Sequence, residues 1–252
     1  MEQQEARTPS GSEKPSSLGT RIMNVFSSPG ELFTDVAGMP VQKSSWVVPY
    51  VLSLLLILIF TYALFSNASL RQQIYDVQIQ KAVEQGKMTP AELDQMRERM
   101  EGSGLGMFML FGAGFQIAIG SAIFFGLALV LWLVAKFGLK AGAGYEKLLE
   151  VTGLASIIGL IGAVITLILM YMFDSLRATP SAALAVLSSY DHENKVHHFL
   201  SLLNIFTLWQ TYILGIGLSK VCYKSTSTGV GVAFGLWAVW TVLSVVLGWG
   251  RI

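Results

Sequence analysis

The chain has few charged residues, and its five longest apolar runs contain none. Only 13% of the 252 residues are charged, about half the share of roughly 25% in a soluble domain. Ionisable side chains at membrane depth usually mark proton relays, ion coupling and charged-substrate paths. Their absence from the runs argues against a pump or an ion-coupled transporter. It argues equally against an intramembrane protease, which needs buried carboxylates or a metal held by histidines.

Other chemical signatures are missing as well. Cys222 is the single cysteine, so an intrachain disulfide is excluded. It lies between Lys220 and Lys224, where an acylated thiol is one alternative and an unmodified residue the default. The glycine-rich segment "STGVGVAFG" lacks the Lys-Ser or Lys-Thr ending of a phosphate loop. A net charge of +1 without a basic stripe gives no reason to expect nucleic-acid binding.

What the sequence has in abundance is apolar residues. They make up 53% of the chain, and the mean hydropathy is +0.57. The charge-free runs predict five membrane-spanning helices, near residues 46–65, 105–135, 151–173, 199–219 and 229–250. The second run is too long for an upright span, so we expect one tilted or kinked helix there. The predicted fold is an all-α polytopic bundle.

The remaining segments divide into three parts. Residues 1–17 are polar and predicted to be disordered, residues 18–45 to form amphipathic juxtamembrane helices, and residues 46–252 to form the membrane domain. The first apolar run begins too late for a secretory leader of about 15 to 30 residues, so we expect the first span to be retained. The charged loop at residues 66–104 is predicted to be a helical hairpin with its second helix starting at "TPAE".

The stretch "FSSPGELF" at residues 26–33 is typical of a helix start. Ser28, Pro29 and Glu31 fit a capping box with proline at the first helical position. The apolar faces of the two juxtamembrane helices need a partner. Candidate contacts, either with the membrane surface or with a cytoplasmic protein, are the aromatic and apolar residues Phe26, Leu32, Phe33 and Trp46.

Lysines in the short loops suggest an orientation. Placing the N-terminus inside puts Lys136, Lys140 and Lys147 in one cytoplasmic loop and Lys220 with Lys224 in another. The basic residues of loop 66–104 oppose this bias, which is therefore modest. We expect a cytoplasmic N-terminus.

Polar and small residues within the runs have two interpretations each. Gln116, Asn204 and Gln210 either form interhelical hydrogen bonds or line a narrow path for water or a neutral solute. The small residues favour close helix packing within one chain, with a homodimer interface as the alternative. These candidate packing residues are Ala155, Gly159, Ala163, Gly231 and Gly235.

The segment "DHENKVHH" at residues 191–198 holds the greatest concentration of potential metal ligands. His192, His197 and His198 do not fall together on one helix face, whereas zinc needs converging ligands. We therefore predict a helix cap here, formed by Asp191 or Asn194, and no metal site.

The whole pattern resembles a known family. "FSSPGELF", a Trp-x-x-Pro entering the first span, a charged loop, "LLEVTGLASIIGLIGA" and "NIFTLWQTYILGIGLSKV" are similar to bacterial members of the Yip family, the Ypt/Rab-interacting five-pass membrane proteins. In the eukaryotic branch the resemblance implies a cytoplasmic N-terminus, five spans and a role in vesicle traffic through Rab GTPases. The Asp-Leu-Tyr-Gly-Pro motif of that branch is absent ahead of the first span, so Rab binding is not expected here.

The sequence thus favours a multi-pass protein of the inner, or an equivalent, membrane that acts as a non-enzymatic organiser or adaptor. We expect no catalytic residue, cofactor or metal, and contacts with the lipid bilayer together with a cytoplasmic partner or a second copy. The alternative is a passive or lipid-handling transport protein, with Gln116, Asn204 and Gln210 lining a polar groove.

Overall fold

A computed structural model describes residues 16–84, 92, 95, 105–191 and 193–248, and no β-strand occurs among them. The α-helices are α1 Leu18–Ser27, α2 Pro29–Gly38, α3 Ser44–Ser66, α4 Ala68–Glu84, α5 Leu105–Leu133, α6 Tyr145–Met172, α7 Lys195–Leu202, α8 Ile205–Val221 and α9 Thr226–Leu247. A π turn, Val134–Gly138, extends α5, and a 3-10 segment, Ala182–Ser189, precedes α7. The all-α prediction is confirmed.

Four helical stretches are long and apolar enough to cross a membrane. They are Ser44–Ser66, Gly112–Gly138, Tyr145–Met172 and Thr226–Leu247. The fourth run of the sequence, residues 199–219, is instead divided between α7 and α8. Helix α8 has 17 residues and a length of about 25 Å. Four candidate spans are therefore present among the described residues, and a fifth crossing by α8 remains a prediction.

Asn204 causes the break between α7 and α8. Its side-chain oxygen accepts hydrogen bonds from the backbone N–H groups of Phe206, at 2.9 Å, and Thr207, at 3.4 Å. This is an N-cap, which starts a new helix by satisfying donors that have no partner within it. The sequence placed Asn204 inside a span; the structure places it at a helix end.

Contacts between helices define the relative directions of α3, α6 and α8. Trp46 at the start of α3 packs on Gly153 near the start of α6, so these two helices run parallel. Gly162 of α6 faces Phe206 at the start of α8, so α8 runs antiparallel to α6. We call the end of the bundle where α3 and α6 begin the proximal end, and the opposite end distal.

The loop after α3 covers the distal end. Leu70 of α4 is fully buried in a cluster with Leu64, Met170 and Leu176. Ser69 Oγ donates to Asp174 Oδ2 at 2.6 Å, which ties α4 to the end of α6. The helix predicted for the first half of this loop is confirmed by α4. The second helix, predicted from residue 89, lies outside the described residues except for positions 92 and 95.

Candidate functional site

Helices α1 and α2 pack against the bundle as a hairpin. Their buried side chains, Val25, Leu32, Phe33 and Val36, belong to one core with apolar residues of α5, α6 and α8. Phe33 packs beside Gly217 of α8, where an added Cβ would lie 3.2 Å from its ring and would collide with Val151 of α6. The apolar faces that the sequence left without a partner are thus covered largely by this chain's own membrane helices.

Local sequence explains how the hairpin turns. Helix α1 begins after Ser17, whose hydroxyl accepts from the backbone N–H of Thr20 at 3.2 Å. Helix α2 begins at Pro29, as predicted, because proline fits the first helical position. The predicted capping box is not formed, however, since the side chain of Ser28 makes no cap hydrogen bond.

A buried ion pair fixes the hairpin at the proximal end. Arg21 Nη1 lies 3.4 Å from Glu150 Oε1, and the two residues are 2% and 0% exposed. Arg21 Nη1 also donates to Ser45 Oγ at 2.9 Å, and Glu150 Oε1 accepts from the backbone N–H of Gln42 at 2.8 Å. We call Arg21, Ser45, Lys147 and Glu150 the Glu150 cluster. It joins α1, the α2–α3 connection, α3 and α6.

Lys147 extends the cluster to α2. Its ammonium donates to Glu150 Oε2 at 2.8 Å and to the carbonyl oxygens of Val36 and Met39, each at 2.6 Å. These carbonyls belong to the C-terminal end of α2, where backbone acceptors lack partners and the helix dipole favours a cation. One lysine therefore neutralises the buried carboxylate and completes the end of α2.

The sequence did not reveal this cluster. Glu150 directly precedes the third apolar run, a position at which a charge usually faces the headgroups. A signal was nevertheless present: Arg21 precedes Val25 by one helical turn and so shares its apolar face. An arginine on the apolar side of an amphipathic helix either extends its charged end to the surface or pairs with a buried acceptor, as Arg21 does here.

The hairpin reaches well along α8. The rings of Phe26, at the end of α1, and Trp209 lie edge to face with centroids 5.7 Å apart. Trp209 is in the first half of α8, whose last residue, Val221, belongs to the proximal end. The hairpin therefore leans into the layer spanned by the bundle and does not lie flat beside it. Phe26 stays 36% exposed at this tip.

The four predicted contact residues have different environments. Leu32 and Phe33 are buried inside the protein, which corrects the expectation that they face lipid or a partner in this conformation. Trp46 is half-buried and packs edge to face on Phe125, with ring centroids 6.1 Å apart. Only Phe26 keeps substantial exposure, and its contact with lipid or a partner remains a prediction.

A cavity of about 300 Å³ lies between α3, α5 and α6, with one side chain from α8 at its wall. Its lining is mostly apolar and includes Gln116 and Gln210. Gln210 approaches α6 at Gly159, where a Cβ would come within 2.6 Å of the amide oxygen. Two of the three polar residues singled out in the sequence therefore meet at one cavity, and Asn204 does not.

Of the candidate packing residues, some contact other helices and others face open space. Ala155 is buried in the core, Gly159 meets Gln210, and Ala163 lines the cavity. Gly231 and Gly235 have nothing within 4 Å of an added Cβ, so the within-chain interpretation is wrong for these two. The homodimer alternative for them remains a prediction.

The close approach of α8 to α9 is made by other glycines. A Cβ at Gly229 would collide with the carbonyl oxygen of Gly215 and lie 2.6 Å from Ser219 Cβ. The spacing rule that singled out Gly231 and Gly235 therefore identified the correct helix but the wrong residues.

The histidine segment forms a cap. Asn194 accepts from the backbone N–H of Val196 at 2.9 Å, which confirms one of the two predicted caps. His197 Nδ1 accepts from the backbone N–H of Asp191 at 2.9 Å, and buried His198 lies 3.3 Å from the Ser244 carbonyl oxygen. The two side chains thus make separate contacts, and His192 lies outside the described residues. No group of three potential metal ligands occurs in the part of the chain that the structure describes.

The architecture defines a class of protein. Long apolar helices, an N-terminal hairpin packed on them and a distal helix after the first span are the features of a multi-pass integral membrane protein. The family model of the Yip1 domain matches residues 23–250, and the chain belongs to this family. The match covers most of the hairpin and the whole bundle. Comparisons with curated proteins and with solved structures gave no match.

Proposed function

We propose that this Yip1 domain protein is a non-enzymatic organiser or adaptor of a bacterial inner membrane, with its N-terminus in the cytoplasm. The observation that supports this most is the hairpin of α1 and α2, which the Glu150 cluster holds on the bundle. A hairpin fixed in this way presents a constant surface. On that surface Met23 is 68% exposed beside Phe26.

Charge distribution supports the orientation. Lys136 and Lys140 lie between α5 and the start of α6, which is at the proximal end. Lys220 and Lys224 lie at the end of α8, which meets the start of α6 through Gly217 and Val151. Short loops rich in lysine favour the cytoplasmic side.

The chemistry of the buried charges supports a non-enzymatic role. Glu150, which could otherwise serve as an acid or base, is enclosed by Arg21, Lys147 and the Gln42 N–H. A carboxylate held by these contacts joins helices, and it has no substrate-accessible face.

In-cell photo-crosslinking tests the adaptor role. A photoreactive residue at Met23 or Phe26 should capture the same protein repeatedly, because both side chains are exposed at the hairpin. The matched control is Phe33, which is buried on the same hairpin and should capture only this chain. If the photoreactive residues at Met23 and Phe26 captured only lipid, the hairpin would serve as a membrane anchor, and the adaptor role would be contradicted.

Passive or lipid-handling transport is a second candidate. The specific observation in its favour is that Gln116 and Gln210 line one cavity. Reconstitution into liposomes, with a measurement of transbilayer lipid movement, tests this candidate: movement no faster than in protein-free liposomes would refute it.

A further inference from the structure

The cavity between α3, α5 and α6 combines apolar walls with uncharged polar groups. Its polar lining residues are Tyr50, Ser53, Gln116, Thr152, Ser156 and Gln210. No Asp, Glu, Lys, Arg or His is among the described residues that line it. The volume of about 300 Å³ is at the lower end of the range of ligand pockets.

Some of these polar groups are already engaged. Ser53 Oγ donates to the Pro49 carbonyl oxygen at 2.7 Å, and Ser156 Oγ donates to that of Gly153 at 2.7 Å. Tyr50 Oη and Ser121 Oγ are 2.8 Å apart. These bonds remain within or between helices and can be made with the cavity empty.

Other groups have no such partner. Thr152 is almost fully buried, and its Oγ1 lacks a hydrogen-bond partner among the described residues. Gln210 is half-buried and Gln116 is exposed at the surface of the bundle, and neither amide group makes a hydrogen bond with another described residue. An amide in an apolar environment without a hydrogen bond is unfavourable by about 1–3 kcal/mol in proteins. The cavity therefore favours an occupant that donates and accepts hydrogen bonds.

The length of the cavity and the charges of its lining residues limit the kinds of molecule that can bind in it. The α3 side of the lining extends from Tyr50 to Phe60, a rise of about 15 Å along the helix. That length and the apolar walls suit one hydrocarbon chain. None of the described lining residues is cationic, so an anionic headgroup at this depth would lack a counter-charge among them and is disfavoured.

We propose that this cavity binds an uncharged lipid of the acylglycerol class. One acyl chain lies between α3 and α5, and the hydroxyl or ester groups of the lipid form hydrogen bonds with the amides of Gln116 and Gln210. The proposal concerns the same cavity as the transport candidate, but binding at this site does not require transport.

Photo-labelling of the full chain in nanodiscs tests the proposal. The probe is a diacylglycerol with a diazirine in one acyl chain, and the comparison probe is a phosphatidylglycerol with the same chains. We expect the diacylglycerol probe to label peptides of α3 and α5, and unlabelled diacylglycerol to compete. Unlabelled diacylglycerol should not reduce the labelling by the phosphatidylglycerol probe.

Variants connect the labelling to the cavity. Gln116→Leu and Gln210→Leu should each reduce competable labelling roughly three- to tenfold, since each removes hydrogen bonds of the strength found between membrane helices. Thr241→Val is the matched control. It deletes another buried hydroxyl without a partner among the described residues, but outside the cavity, and should leave labelling unchanged.

Three results would overturn the proposal: equal competable labelling by both probes, unchanged labelling in the glutamine variants, or no competable labelling of the wild-type protein. If a glutamine variant does not fold, the comparison of the two probes on the wild-type protein decides alone. Competable binding without faster transbilayer movement would support the site while refuting the transport candidate.

Discussion

Arg21 and Glu150 are 129 positions apart in the chain, yet Arg21 Nη1 lies 3.4 Å from Glu150 Oε1 in a place that solvent does not reach. The pair joins the first helix to the start of α6. Burying two charges is unfavourable unless both are compensated, and here Ser45, Gln42 and Lys147 supply the additional bonds. The contact makes the N-terminal hairpin part of the membrane domain.

Removing the charge of Glu150 alone should be more harmful than removing it together with that of Arg21. Glu150→Gln should lower the free energy of unfolding by about 3 kcal/mol, because it leaves the buried Arg21 without a carboxylate. Arg21→Met should lower it by less, because Lys147 still pairs with Glu150. The double variant should lose less than the sum of the single losses. Unfolding by sodium dodecyl sulfate measures all four proteins, and strictly additive losses would contradict the pairing.

Lys147→Met should loosen α2. The substitution removes the donor to the carbonyl oxygens of Val36 and Met39, and bonds to a charged donor are worth about 1.5–3 kcal/mol each. Amide hydrogen exchange in α2 should accelerate at least tenfold. Lys43→Met, an exposed lysine at the same end, is the control and should leave exchange in α2 unchanged. Equal exchange rates in the two variants would refute the role given to Lys147.

Two glycines of α9 should respond oppositely to alanine. Gly229→Ala should destabilise the protein by about 2 kcal/mol or more, since the new methyl group collides with the α8 backbone at Gly215. Gly231→Ala meets open space, and it should be neutral or stabilising by up to about 1 kcal/mol, the difference in helix propensity. Thermal unfolding in detergent compares the two, and a marked loss for Gly231→Ala would show a contact that this chain alone does not make.

Cys222 should react slowly with thiol reagents. Burial raises the pKa of its thiol above the ordinary value, and nearby Lys224 only partly opposes this. The reactive thiolate is therefore scarce at neutral pH and increases as the pH rises towards that raised pKa. Maleimide labelling should be at least tenfold slower than in a Cys222→Ser, Tyr223→Cys variant, whose thiol is at an exposed position. Equal rates at neutral pH would contradict the burial of Cys222.

The sequence predicted the class of fold well because apolar run length alone determines where a helix can cross a bilayer. It placed the start of α2 correctly at Pro29, where the constraint is local. It failed at Asn204, because an asparagine within an apolar run can either cap a helix or bond across two helices, and only tertiary contacts distinguish these outcomes. Glu150 was missed for the same reason: its partner is remote in the chain.

The glycines show a further limit of sequence reasoning. The same spacing of small residues occurs at Gly231 and Gly235, which face away from the bundle, and along α6, where Ala155 and Gly159 face other helices. Spacing identifies a face that permits close packing, but it does not show which helix, if any, packs there.

Chemical crosslinking between Phe26→Cys and Trp209→Cys, in a Cys222→Ser background, tests the central claim that the hairpin packs on α8. Both positions are partly exposed and their native rings are 5.7 Å apart. A short bismaleimide should join them within one chain, and Glu150→Gln should lower the yield. The pair Phe26→Cys with Val246→Cys, at the distal end of α9, should not react. Absence of the first crosslink, or equal yields for both pairs, would show that the hairpin does not pack against α8.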